Sequence, residues 1–88
     1  MKYRLEYRPE AFADVAEAFF WYESQRSGLG DQFENEVGST MGLVAAMPEA
    51  APIVLGRLRR ALVHRFPFAI YYTIEGTVIE IRGVLHTS

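Results

Sequence analysis

The chain contains no cysteine, which excludes disulfide bonds and cysteine-ligated metal sites. It also lacks any apolar run near the ~20 residues that a membrane-spanning helix needs. Neither sign of charge dominates, because nine Lys and Arg residues stand against eleven Asp and Glu residues, for a net charge of −2. A generic polyanion-binding protein is usually basic. Any role on nucleic acid therefore requires a local cluster of cations.

The motifs of common enzyme families are missing as well. The sequence has no GxGxxG, no Walker loop, no HExxH and no GxSxG. The two histidines, His64 and His86, have neither cysteines nor a helical i,i+4 partner, so we predict no metal site and no cofactor. No apolar signal block follows Met1, and we expect a cytoplasmic protein that does not enter a membrane.

The composition and length indicate a folded chain. Half of the residues are hydrophobic, and 88 residues suit one domain, 1–88. Tyr3, Leu5 and Tyr7 alternate with charged residues, which predicts a half-buried first strand. A helix is predicted from Pro9 to about Arg26, with an inward stripe of Phe12, Val15, Ala16, Phe19 and Tyr22.

A second helix is predicted after the Ser27–Gly30 break, from about Asp31 to just before Pro48. Gly38 and Gly42 lie one turn apart in it, a spacing that predicts close approach of the first helix. After a connector, Pro48–Gly56, three strands are expected at about 57–63, 66–73 and 77–85, the last two joined by a turn at Glu75-Gly76. The predicted class is α+β, ordered β-α-α-β-β-β, with an antiparallel-rich sheet covered on one face by a helical hairpin.

Arginines crowd the segment that begins the first of these three strands. In a strand, Arg57 and Arg59 point to one side and Arg60 to the other, so either one of these arginines points towards the apolar side or the strand begins later. Either these arginines protect a sheet edge against aggregation and form ion pairs with the acidic helices, or they bind a target. If the strand continues, His64 points to the same side as Arg60, which predicts that the two side chains share a face.

The first predicted helix carries two features outside its stripe. Phe20 and Trp21 lie off the inward face, which indicates either a second covered side or an exposed aromatic patch that binds a partner. Asp14 and Glu17, one turn apart, are interpreted as surface charges.

Four segments in this order resemble the RelE/ParE toxin superfamily of bacterial toxin–antitoxin modules. They are WYESQRSGLGDQFENEV, MPEAAPIV, RRALVHRFPFAIYY and IEIRGVLH. The similarity covers essentially the whole chain. The Trp-Tyr-Glu and Phe-Pro-Phe elements are most similar to ParE-like, "plasmid stabilisation" members. The resemblance implies a RelE/ParE-like fold and a cytoplasmic toxin that a cognate antitoxin neutralises in a toxin–antitoxin hetero-oligomer.

Within this superfamily some members cleave mRNA on the ribosome, whereas the ParE branch poisons DNA gyrase. For a gyrase inhibitor, the expected target-binding residues are Arg57, Arg59, Arg60, Arg65 and Arg82, with Phe20 and Trp21 contacting the antitoxin. A ribosome-dependent endoribonuclease would instead use Arg60, Arg65, Arg82, His64 and His86 on mRNA. A non-toxic relative that retains only antitoxin binding is a third alternative.

Two departures from the family pattern favour partner binding over RNA cleavage. Ala69 stands where the family typically has an arginine after the Phe-Pro-Tyr block. Members also commonly continue beyond the last strand with a basic tail, whereas this sequence ends at Ser88. Either the sequence is trimmed at that point or the tail is missing; we expect a missing tail, like Ala69, to remove cations that would stabilise a cleaved phosphate.

Overall fold

The computed structural model describes residues 2–88 and confirms the α+β class. Its helices are α1 (Pro9–Gln25) and α2 (Leu29–Ala46). Its strands are β1 (Arg4–Tyr7), β2 (Ile53–Leu55), β3 (Leu58–Leu62), β4 (Phe68–Glu75) and β5 (Val78–His86). The additional strand, β2, lies in the segment predicted to be a connector, and its three residues are too few to show an alternating pattern.

The sheet is mixed, with the strand order β1-β5-β4-β3-β2. Strand β1 runs parallel to β5, and the other neighbours are antiparallel. The turn between β4 and β5 comprises Gly76 and Thr77, because Glu75 already pairs with Val78. The antiparallel-rich prediction therefore holds, with β1 as the exception.

The core lies between the helices and one face of the sheet. Ile70 and Tyr72 of β4 and Ile81 of β5 are fully buried there, as is Phe33 of α2. The ring of Tyr22 packs against Phe33 at 5.3 Å between centroids. Burial of each such side chain contributes roughly 1.5–3 kcal/mol, so this covered face supplies most of the stability.

The buried face of α1 differs from its predicted stripe. Ala11 and Ala18 are buried, whereas Phe12 is 62% exposed and rests its ring on Tyr7. Small alanine side chains let a helix axis come close to the sheet, and the bulky Phe12 is left at the rim. The prediction for Phe12 was therefore wrong.

The α1–α2 turn is held by a carboxylate and two glycines. Glu23 accepts hydrogen bonds from the backbone N–H groups of Gly28 (2.9 Å) and Gly30 (2.8 Å), which satisfies free donors at the start of α2. Gly28 has φ +89°, and a Cβ on Gly30 would lie 2.7 Å from the Phe19 carbonyl oxygen. Only glycine fits both positions without strain.

The close helix approach predicted at Gly38 and Gly42 is absent. A Cβ at either position would meet no atom within 4 Å among the residues that the structure describes. It is at Gly30, at the N-terminal end of α2, that an added Cβ would meet the backbone of α1.

Candidate functional site

The five arginines predicted to bind a target lie in separate places. Arg57, just before β3, forms an ion pair with Glu75 at 3.0 Å and donates to the Ile74 carbonyl oxygen at 2.8 Å. Both groups lie at the end of β4, so Arg57 ties two strands together. Its contacts are those of a surface ion pair, which contributes at most about 1 kcal/mol.

Arg59 is the arginine on the covered face of the sheet. It pairs in register with the buried Tyr72, and its guanidinium donates to the carbonyl oxygens of Glu49 (3.1 Å) and Ala51 (2.7 Å). The Tyr72 hydroxyl donates to the carbonyl oxygen of Pro48 at 2.6 Å. Arg59 and Tyr72 together therefore anchor the segment that follows α2. Burial raises the pKa of Tyr72, and the charge of Arg59 acts in the opposite direction.

Arg60 lies on the opposite, open face. It pairs with Tyr71, which pairs in turn with Gly83, so these three positions form one row across β3, β4 and β5. Register partners share a face, and strands lie about 4.8 Å apart, which places Arg60 about 10 Å from Gly83 in the backbone. Within residues 2–88 the Arg60 side chain makes no hydrogen bond or ion pair.

Arg82 joins this row through a bulge in β5. Tyr71 pairs with Gly83 and Tyr72 with Ile81, so Arg82 is the extra residue between the two pairs. Its guanidinium contacts the Thr73 hydroxyl at 3.3 Å and the Glu80 carboxylate at 2.9 Å. Of the five arginines, Arg60 and Arg82 are therefore the two that the fold brings onto one surface.

A second row on the open face is apolar. Leu62, Ala69 and Leu85 are register partners across the same three strands, two residues along from the first row. Leu62 is 65% exposed and Leu85 50% exposed, while Ala69 between them is fully buried. The position where the superfamily typically has an arginine thus lies within an apolar strip, and we call the two rows together the open-face patch.

Arg65 and His64 occupy the turn after β3. Arg65 has φ +72° and reaches α2, where it contacts Gln32 at 3.2 Å and Glu36 at 3.8 Å. Since β3 ends at Leu62, strand parity does not place His64 beside Arg60, and that prediction was wrong.

His86 lies on the covered side of the sheet. Its ring packs edge-on against its register partner Phe68, with centroids 5.2 Å apart, and its Nδ1 lies 2.7 Å from the Ser88 hydroxyl. The five residues expected for a ribonuclease therefore do not share one face, because Arg65 reaches α2 and His86 lies on the covered side.

The two aromatic residues expected to contact an antitoxin, Phe20 and Trp21, have different surroundings on α1. Trp21, 58% exposed, lines a groove of about 780 Å³ between α1 and the end of β5. Phe20, 69% exposed, instead packs its ring on Phe19 and takes no part in lining this groove. The α1–β5 groove is lined by Asp14, Glu17, Ala18, Trp21, Tyr22, Pro67, Phe68, Val84, Leu85 and His86.

Asp14 has a role that the sequence did not reveal. Its carboxylate accepts a hydrogen bond from the backbone N–H of Val84 at 3.0 Å, so it connects α1 to the edge of β5 beyond the bulge. The helical spacing of Asp14 and Glu17 was the available signal, because i and i+3 place both carboxylates on one side of α1.

In the described part of the chain, no group of three His, Asp or Glu side chains is arranged to hold a metal ion. No helix within residues 2–88 has the length and hydropathy to cross a membrane.

Comparison with known proteins gives a structural relationship. No protein-family model and no curated protein matches the sequence. The structure superposes with a TM-score of 0.75 on a chain of the solved structure "Chromosomal ParDE TA system from P. aeruginosa", covering 99% of this chain and 98% of that chain at 16% identity. The chain has a ParE-like fold. The resemblance inferred from the sequence is thereby confirmed at the level of the fold.

The residues that carried this resemblance are those that build the ParE-like fold. Tyr22 contributes its ring to the core, Glu23 caps α2, Gly30 allows the helices to meet, and Phe33 is fully buried. Their order in the sequence therefore identifies the architecture.

Proposed function

We propose that this protein is the toxin of a bacterial type II toxin–antitoxin module, that it inhibits DNA gyrase by protein–protein binding, and that a cognate antitoxin neutralises it in a hetero-oligomer in the cytoplasm. The full-length similarity to a chain of a ParDE system supports the module. The observation that carries the mode of action is the open-face patch, where a cationic and aromatic row adjoins an apolar row.

The composition of this patch suits a protein target. Arginine and tyrosine are enriched at the energetic centres of protein interfaces, and an adjacent apolar strip supplies area that loses water on binding. Arg60 is available for such a contact because it has no partner within the described residues, and Arg82 keeps a 44% exposed side chain beside Glu80. Arg57, Arg59 and Arg65 already make internal contacts, so in this proposal they support the fold and the rim of the surface.

Ribonuclease activity is the alternative, and Arg60, Tyr71 and Arg82 would be its available groups. Metal-independent RNA cleavage needs a proton acceptor, a proton donor and cations at the phosphate. The location of His86 on the covered side, and of Arg65 beside α2, favours partner binding over this chemistry. Residues 1–88 would act as one domain in either case.

The decisive experiment measures both activities with the same preparations. We expect the purified protein to inhibit supercoiling of relaxed plasmid by purified gyrase and to leave transcripts intact in a translation extract. Arg60→Ala should raise the half-inhibitory concentration about tenfold, which corresponds to a loss of about 1.4 kcal/mol at an interface centre. Arg26→Ala removes the same charge from an exposed position near the α1–α2 turn and should have no effect.

Each other outcome contradicts the proposal in a specific way. Cleaved transcripts that become intact with Arg60→Ala or Arg82→Ala would assign a ribonuclease. Normal supercoiling at high protein excess together with intact transcripts and harmless overexpression would assign a non-toxic relative.

A further inference from the structure

One carboxylate, that of Glu80, lies at the border of the open-face patch. Glu80 pairs in register with Thr73, two residues along β4 from Tyr71, and so it shares the open face with them. Its side chain is 32% exposed, and each of its oxygens contacts a different arginine. Oε1 lies 2.9 Å from Nη2 of Arg82, and Oε2 lies 3.6 Å from Nη1 of Arg8. This carboxylate therefore reduces the positive charge of two cations on the same surface.

Arg82 is held from two sides. Its Nε–H donates to the buried hydroxyl of Thr73 at 3.3 Å, and its Nη2 contacts Glu80. Neither contact uses Nη1, so the N–H groups of Nη1 can donate to a target. The fixed guanidinium is thus suited to directed hydrogen bonds. Its attraction for a second anion is weak, because the ion pair with Glu80 is close to neutral at a distance.

The register of β1 and β5 indicates that Glu80 adds little to the stability of the sheet. Its partner in β1 is Glu6, and like charges directly opposite each other weaken strand pairing. The guanidinium of Arg4 lies 2.8 Å from the Glu6 carboxylate, which offsets part of this repulsion. A neutral residue at position 80 would avoid the repulsion. The contacts of Glu80 with the arginines therefore explain its presence better than strand pairing does.

Nucleic acids and proteins require different properties of such a surface. Binding to a phosphate backbone depends on the number of cations that can each contact a phosphate. With Glu80 ionised, Arg82 offers a phosphate little net attraction. A protein target can still accept hydrogen bonds from Arg82 and bury the apolar row, which a phosphate backbone cannot do. Glu80 therefore disfavours a nucleic acid more than it disfavours a protein.

We propose that Glu80 is a specificity-determining residue of the open-face patch, which neutralises Arg82 and thereby excludes nucleic acid from the surface that binds the protein target. A charge that repels the wrong partner is a general source of specificity. This inference rests on the proposed function, because it takes the open-face patch as the target-binding surface. Its test uses a readout that does not involve gyrase.

The exclusion is measured as binding of the full chain to a fluorescein-labelled single-stranded oligothymidylate, by fluorescence anisotropy at low salt. We expect weak binding by the unsubstituted chain and about fivefold tighter binding by Glu80→Gln, the fold-change that matches a surface ion pair of about 1 kcal/mol. The logarithm of the affinity should also fall more steeply with the logarithm of the salt concentration. The slope should steepen by about 0.7, the value for one added phosphate contact on a single strand.

Two further variants distinguish the release of Arg82 from a general change of charge. Glu34→Gln removes the same charge from an exposed position on α2 and should leave DNA binding unchanged. Glu80→Gln combined with Arg82→Ala should return binding to the weak level, because the released guanidinium is gone. Arg8 keeps a second carboxylate, that of Glu10 at 3.5 Å, in every variant. Circular dichroism of each variant checks that the fold is intact.

Four results would overturn the proposal. Tight DNA binding by the unsubstituted chain would show that Glu80 excludes nothing, and an unchanged affinity of Glu80→Gln would show that it does not control Arg82. Equal gains from Glu80→Gln and Glu34→Gln would assign the effect to net charge. A gain that persists without the Arg82 guanidinium would assign it to another cation. Failure of the unsubstituted chain to inhibit supercoiling would contradict the proposed function separately, whatever the DNA-binding result.

Discussion

Arg59 and Arg60 are neighbours in β3, but they lie on opposite faces of the sheet and differ in their contacts. On the covered face, Arg59 donates to two carbonyl oxygens and helps to anchor the chain after α2. On the open face, the side chain of Arg60 makes no hydrogen bond or ion pair within the described residues. It lies beside Tyr71 and the apolar row. One position along a strand thus separates an arginine that stabilises the fold from one that is available to a target.

The largest expected effect is on the covered side, at the helix crossing. Gly30→Ala should lower the free energy of unfolding by about 3 kcal/mol, because its Cβ would lie 2.7 Å from a backbone oxygen that cannot move freely. Gly38→Ala is the matched control in the same helix and should raise stability by about 1 kcal/mol, since its Cβ meets no atom within 4 Å. Urea unfolding measures both, and effects of the same sign would contradict this account of the crossing.

The comparison between adjacent arginines is tested by two alanine substitutions. Arg59→Ala should cost about 2 kcal/mol, because it removes charged hydrogen bonds to two carbonyl oxygens. Arg60→Ala should change stability by less than about 0.5 kcal/mol, as for other surface positions without partners. If urea unfolding gives equal losses for both variants, the distinction between the faces fails.

A smaller effect concerns alkaline pH. Burial raises the pKa of Tyr72 and of Tyr22 above 10.0 in the folded state. The unfolded chain therefore releases these protons first, so the contribution of both residues is fully present below about pH 10 and is lost as the pH rises through their folded-state pKa values.

Stability measured at pH 8, 9.5 and 11 should accordingly fall across the last interval. The double substitution of Tyr22→Phe and Tyr72→Phe should flatten that fall. A decline of the same slope in this variant would assign the alkaline sensitivity to other groups.

The sequence predicted the elements better than it predicted their faces. The alternation in β4 and the helical spacing of α2 identify buried positions because many large residues share one period. In α1 the large residues are misleading, since the alanines pack against the sheet and Phe12 lies at the rim. Strand parity fails for His64 because the left-handed conformation of Arg65 belongs to a turn that begins after Leu62.

The candidate surfaces were harder to predict from the sequence than the helices and strands. The row of Arg60, Tyr71 and Gly83 depends on the register of three strands, and the bulge that brings Arg82 to it has no local signal. The hydrogen bond from Val84 to Asp14 joins residues 70 positions apart. Such contacts arise only from the assembled fold, which is why strand parity could separate Arg59 from Arg60 but could not bring Arg82 beside Arg60.

The parallel pairing of β1 with β5 has a consequence for how the chain assembles. Leu5 meets Ile79, almost at the other end of the sequence, whereas the α1–α2 turn and the β3–β4–β5 meander close short loops. Local contacts form faster because they cost less chain entropy. We therefore expect β1, four residues long and hydrogen-bonded to a single neighbour, to dock last during folding and to exchange its amide hydrogens first. Until it docks, the edge of β5 is open over its whole length.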